Sequence, residues 1–156
     1  MRFFVDQTLG RLTKWLRFLG FDVVPTRLIP QEFHHLPPPK RDTYILTRQT
    51  SLPAKLCRPD VLVLASDGTE AQLAEICRRL QIPPETWEPL NRCSHCNQNL
   101  VPVTPEQVED RVPEYISQKH QQFFECPQCR RLFWEGSHQR RIRSRLQELQ
   151  NQINTP

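Results

Sequence analysis

Two periods of apolar residues alternate along the first eighty positions. Phe3, Phe4 and Val5 form a short run that stops at Asp6, and Leu9, Leu12, Leu16 and Leu19 then recur three or four apart until Gly20. This predicts a strand followed by a helix that a glycine closes. Arg11, Lys14 and Arg17 fall off the leucine stripe, so the helix is expected to present a basic face. Asp22 to Pro25 and Tyr44 to Thr47 read as two further short strands. Val61 to Ala65 is continuously apolar, as in a strand covered on both faces. Ser66 or Thr69 is then placed to cap a helix whose stripe is Leu73, Ile76, Cys77 and Leu80. Strands alternating with helices over residues 1–82 predict an α/β fold built on a small parallel sheet.

Breakers divide the rest. The chain has fifteen prolines, and Pro37, Pro38 and Pro39 cut the stretch from Ile29 to Arg41 down to a short turn. Residues 83–92 read as a proline-bearing connector, 93–134 as a small module, and 139–153 as a terminal helix with Ile142, Leu146, Leu149 and Ile153 on one side. The expected division is an α/β domain over residues 1–90 and a module with its terminal helix over 91–156.

Four cysteines give the module its chemistry. Cys93/Cys96 and Cys126/Cys129 are two CxxC pairs, and such pairs close a tetrahedral thiolate cage around one zinc ion. The 29 residues between them exceed the usual ribbon interval of roughly 15 to 20, so the expectation is a zinc ribbon with an insertion between its halves. Removing the metal is expected to unfold residues 93–134 and to spare much of the first domain, since so small a ribbon has little apolar core. Two disulfides are the alternative, but they belong to secreted domains. No charged start followed by a long apolar stretch marks a signal peptide or a membrane span, so the expected location is cytoplasmic, without membrane contact. In a reducing compartment Cys57 and Cys77, each among apolar neighbours, are expected to be buried and inert.

Net charge is +4 over 156 residues, unevenly spread. Residues 1–57 hold nine Lys/Arg against four Asp/Glu, and between positions 130 and 145 six arginines face only Glu135. A basic cluster on a small module is the footprint of a phosphate-backbone binder; a solvated helix face has the same composition.

In open parallel sheets the ligand crevice lies at the carboxyl ends of the strands. There the first predicted strand ends at Asp6, the third at Thr47, Arg48 and Gln49, and the fourth near Ser66 and Asp67. Carboxylates meeting on that edge suit Mg²⁺ or Mn²⁺, which take oxygen ligands and activate water against phosphodiesters. Asp6 is equally placed to cap the next helix, and Asp67 to begin an Asp-Gly turn.

Motifs extend along nearly the whole chain. Asp6, Leu9-Gly10-Arg11-Leu12, Trp15-Leu16-Arg17, Leu19-Gly20 and Asp22 come first. Leu46-Thr47-Arg48, Ser66-Asp67, Cys93 and Cys96 with Asn97, and Glu109-Asp110-Arg111-Val112-Pro113 follow. Cys126, Cys129, Trp134 and Gly136-Ser137-His138 complete the series. Together they resemble the PIN-like ribonuclease family named after the C-terminal domain of the mutator-seven exonuclease (Mut-seven-C, or Mut7-C). The resemblance implies a PIN-like α/β domain followed by a zinc ribbon, and a metal-dependent RNA endonuclease. On that reading Asp6 and Asp67 hold Mg²⁺ or Mn²⁺, and Arg48 helps position phosphate. RNA is then held by Arg11, Lys14, Arg17, His138, Arg140 and Arg141.

The chain departs from the family pattern at that site. Gln49 stands where an aspartate normally follows the Thr-Arg pair, Gln7 where arginine is usual, and Gln31 to Pro39 replaces an acidic helix. A neutral amide is a poorer ligand for a hard cation, which leaves a weakened nuclease beside a non-catalytic RNA- or ribonucleoprotein-binding protein of the same fold. A protein-docking adaptor is a third reading. Other residues carry two readings each. His138 suits phosphate contact or acid/base work, while Ser137 capping the helix explains the same motif structurally. His95 and His120 are spare ligands or exposed side chains, and Trp15 is core or a stacking platform. Phe123, Phe124, Phe133 and Trp134 divide between ribbon packing and RNA stacking.

Overall fold

The computed structural model describes residues 1–136 together with Arg141, Ser144, Arg145, Gln147, Glu148 and Asn151. Strand β1 (Arg2–Asp6) leads through a 3₁₀ turn (Gln7–Leu9) into helix α1 (Gly10–Phe18), and β2 (Asp22–Thr26) follows. A second 3₁₀ turn (Pro30–His35), β3 (Thr43–Thr47), α2 (Leu52–Leu56), β4 (Val61–Val63) and α3 (Thr69–Arg79) complete the first half. All four strands are parallel, in the order β2-β1-β3-β4. The fold class is therefore α/β, with a four-stranded parallel sheet and a cysteine cluster beyond it.

Alternation along the strands sorts the two faces. Phe3 and Val5 of β1 and Leu46 of β3 join Leu12, Leu16, Leu73 and Ile76 in a core beneath α1 and α3. Phe4 and Ile45, one residue out of phase, pack with Leu28, Leu36 and Leu52 on the other face. A sheet covered on both sides needs apolar residues at consecutive strand positions, and these strands supply them.

Gly20 ends α1 with φ 93°. The amide of Phe21 donates to Leu16 O and that of Gly20 to Arg17 O, satisfying the carbonyls left over at the helix end. A Cβ here would lie 2.9 Å from Glu88 O, so glycine serves both the turn and the approach of the connector, whose Trp87 is buried in the main core. The helix after β4 starts without a side-chain cap: neither Ser66 nor Thr69 fills that role, and Gly68, at φ 82°, occupies the position. Cys77 is buried as expected, whereas Cys57 is exposed, because it follows the end of the short α2 at φ 49°.

In the second half β5 (Val101–Val103), β6 (Phe123–Glu125) and β7 (Leu132–Trp134) form an antiparallel sheet in that order. The insertion between β5 and β6 holds α4 (Pro105–Val108), a 3₁₀ turn (Glu109–Arg111) and α5 (Glu114–Lys119). It closes on Phe123 through Val108 and Ile116. Phe123 is thus core, not a free stacking face. The terminal helix expected over 139–153 lies largely outside the described residues; Arg141, Ser144, Arg145, Gln147, Glu148 and Asn151 are helical and exposed.

Candidate functional site

At the carboxyl end of β1, Asp6 is buried at 4% exposure. Its Oδ1 accepts from the Thr8 amide at 3.1 Å and the Thr8 hydroxyl at 3.0 Å. Its Oδ2 accepts from the Thr47 hydroxyl at 3.0 Å and from Gln49 Nε2 at 2.9 Å. Burial pushes the carboxyl's pKa up, but the bonds from Gln49, Thr8 and Thr47 outweigh it and hold Asp6 below the ordinary aspartate range. Asp6 therefore ties β1 to the end of β3 as an anion, and it also caps the turn that follows.

Asp67 follows β4, so it and Asp6 flank β3 on the same edge of the sheet. Two strand spacings separate β1 from β4, roughly 10 Å. Asp67 is 86% exposed on its side chain and pairs with Arg48 Nη2 at 2.6 Å. Arg48 thus links this carboxylate to β3, next to Thr47 and Gln49. A third carboxylate on the edge, Glu75 of α3, was missed by sequence reasoning. It accepts from the amides of Ala65 and Ser66 and pairs with Arg79 at 3.1 Å. The amphipathic stripe of α3 gives no sign that Glu75 turns inward onto the β4–α3 loop.

A hard cation needs carboxylate oxygens free to coordinate it. Each Asp6 oxygen already accepts two hydrogen bonds, and Gln49 presents a donor where a ligand oxygen would be required. Asp67 is engaged by Arg48, and among the described residues no three carboxylates or histidines converge. With Gln49 in place, this edge is a poor host for Mg²⁺ or Mn²⁺.

The predicted RNA contacts separate by exposure. Arg11 and Lys14 are exposed on α1, and Arg141 is exposed on the terminal helix; His138 and Arg140 lie outside the described residues. Arg145 pairs with Glu70 at 3.2 Å, which brings that helix beside the start of α3, three residues from Asp67. Arg17 requires a correction: it is buried, not part of the basic face. Its guanidinium donates to Val23 O at 2.8 Å, His95 O at 2.7 Å and Ser94 O at 3.3 Å. It anchors the first cysteine knuckle to the α/β domain, and these carbonyls occupy the donors that phosphate contact would require.

The cysteines do converge. The four sulfur atoms lie within 4.8 Å of one another, and Cys93 Sγ is 3.8 Å from Cys129 Sγ. That is far beyond the roughly 2.05 Å of a disulfide. It matches the spacing of about 3.8 Å between sulfurs that tetrahedral ligands at about 2.3 Å require. Both knuckles fold alike: the Cys96 amide donates to Cys93 Sγ and the Cys129 amide to Cys126 Sγ. Each ends in a left-handed residue, Asn97 at φ 66° and Arg130 at φ 59°. This set fits a single soft-ligand metal ion. Phe124 and Phe133 pack against it, so a metal here would hold the two knuckles together beside the separate core that Phe123 forms with Val108 and Ile116.

No helix among the described residues is long and apolar enough to cross a membrane. Comparison with curated proteins and with solved structures returns no significant match. A family model, the Mut7-C RNAse domain, matches residues 1–146.

Proposed function

Because the chain belongs to the Mut7-C RNAse domain family, we propose that it is an RNA-directed protein of PIN-like type whose ribonuclease chemistry is attenuated at Gln49. The bond from Gln49 Nε2 to Asp6 Oδ2 carries this reading. A neutral amide donor satisfies the carboxylate that a cation would otherwise bind, while the rest of the edge keeps Arg48 and Asp67 paired beside it. RNA is held by Arg11 and Lys14 on α1 and by Arg141 on the terminal helix, with His138 and Arg140, which precede Arg141 in the chain, as further contacts. Arg48 contributes a positive charge at the edge between them, and the Arg145 to Glu70 pair supports placing both basic surfaces around it.

The four-cysteine site takes Zn²⁺ in a structural role, organising residues 91–156 as a ribbon behind an α/β domain of residues 1–90. Thiols held for metal suit a reducing, cytoplasmic setting. The alternative, a non-catalytic RNA or ribonucleoprotein binder, draws support from the saturation of Asp6, whose oxygens have four donors between them.

Cleavage of end-labelled RNA in MnCl₂ or MgCl₂ tests the two readings. We expect slow turnover in the wild type and none in Asp6→Asn. Gln49→Asp should raise the rate on the order of 10- to 100-fold, the range typical of a group that tunes a metal site. The same variant should gain a Mn²⁺-dependent rise in Tm, since a cation bound only by the folded state stabilises it. Absence of turnover in every variant, with RNA affinity that falls steeply as salt rises, would replace the first reading by the second. Absence of both would remove RNA from the account.

A further inference from the structure

The ribbon carries a depression of about 340 Å³ lined by Arg111, Arg130, Arg131, Phe133 and Trp134, apart from the sheet edge and from the contacts assigned to α1 and the terminal helix. We propose that it is a nucleotide subsite, taking one phosphate of single-stranded RNA on its arginines with the attached base against Trp134 or Phe133; this rests on the RNA-directed reading.

Charge is the first argument. Arg111 and Arg130 both reach the buried carboxylate of Glu125, at 2.8 and 2.9 Å. One anion between two guanidiniums, with Arg131 exposed alongside, leaves the depression positive by two charges. Among the described residues Arg111 uses only Nη2, on Glu125 and on Arg130 O, so its Nε and Nη1 take no partner there and can serve a ligand. Glu125 fixes where the guanidiniums lie, and two arginines held in place bind phosphate with less ordering cost than free ones.

Backbone conformation is the second. Arg130 occupies the left-handed position that ends its knuckle, φ 59°. Glycine fits such a position without strain, whereas other residues lose roughly 1–2 kcal/mol there. Asn97, the equivalent in the first knuckle, is a residue type that tolerates the conformation, and arginine is not. A strained arginine aimed at a buried carboxylate beside a cavity points to use of its side chain. The third argument is aromatic. Phe133 and Trp134 are half-buried, packing against the cysteine cluster and the insertion respectively while also lining the depression. Stacking on such a ring is worth about 1–3 kcal/mol per base and tolerates any sequence.

Binding of a fluorescein-labelled ten-nucleotide oligouridylate to the zinc-loaded full chain, measured across a KCl series, tests the subsite. Arg131→Ala should weaken binding about tenfold and lower the salt slope by about one. Arg131→Lys should keep the slope. Trp134→Phe, which retains an apolar ring in the packing, should weaken binding by about fivefold without changing the slope. If Arg11→Ala weakens binding but Arg131→Ala and Trp134→Phe leave it unchanged, the subsite falls and the RNA-directed reading stands. A wild type without affinity for the oligonucleotide overturns both. Equal competition by polyglutamate, with no effect of Trp134→Phe, would make the depression a general anion patch and overturn the proposal.

Discussion

Arg17 is charged, lies off the leucine stripe of its helix, and is nonetheless buried. The reason is its neighbour at i−4. Thr13 is also buried, so the covered surface of α1 is wider than the stripe, and the first cysteine knuckle closes over this flank. Four hydrogen bonds from the guanidinium, two to Val23 O and one each to Ser94 O and His95 O, satisfy it there. Truncation strands three carbonyls and should cost about 3 kcal/mol, the order of one or two charge-assisted hydrogen bonds lost at a buried site. Urea denaturation of Arg17→Ala should show a lower midpoint with an unchanged m value, while RNA affinity of the folded protein drops less than in Arg11→Ala. A variant with wild-type stability and a tenfold loss of RNA affinity would return Arg17 to the basic face. Residue type and periodicity alone could not have separated Arg17 from Arg11, because the element that buries it arrives some eighty positions later in the chain.

The knuckles are the elements whose geometry spacing alone made legible. CxxC pairs fold locally, each turn being closed by its own amide and sulfur, so their convergence needs little from the rest of the chain. Their docking was not legible. Asn97 accepts from the Val23 amide at 3.0 Å and donates to Asp22, and Arg92 donates to Gly20 O at 3.3 Å, so the first knuckle is fastened to the edge strand β2. Metal removal then reaches further than residues 93–134. Hydrogen exchange after chelation should show loss of protection through the module and, in addition, a faster Val23 amide, while the interior amides of β1 and β3 keep theirs. A Val23 amide that exchanges no faster without metal would mean that the knuckle keeps its shape unaided. Short elements divide: α2, of five residues, left no sign in the sequence, whereas the 3₁₀ turn over Pro30–His35 is the short turn that the prolines predicted.

At the scale of the molecule, the parallel sheet follows from short apolar runs separated by helical stripes, whereas the order of its strands and the polar ties across the halves do not, since these join residues distant in sequence. Within the halves, three buried carboxylates share a common chemistry. Asp6 pins β1 to β3, Glu75 holds the loop after β4, and Glu125 holds the arginines of the ribbon. Burial pushes the Asp6 and Glu75 carboxyls up and their hydrogen bonds more than reverse it; for Glu125 the bond from Arg111 leads, against burial, and the Arg111 and Arg130 charges add to it. All three therefore lie below their ordinary values. A carboxyl depressed by folding stabilises above its unfolded pKa, about 3.9 for aspartate and 4.3 for glutamate, and that contribution disappears as pH falls through the lower folded value. Acid also protonates thiolates and releases metal, so the carboxylate share has to be isolated by difference. The stability gap between wild type and Asp6→Asn, and between wild type and Glu125→Gln, should be constant from pH 7 to about pH 5. Each should then narrow steadily toward pH 3, because the wild type loses the stabilisation that the variant never had. Metal loss is common to both members of each pair and cancels. Urea titrations at half-unit steps would measure the gaps, and a gap that widened on acidification would mean that folding raises the carboxyl's pKa instead of lowering it.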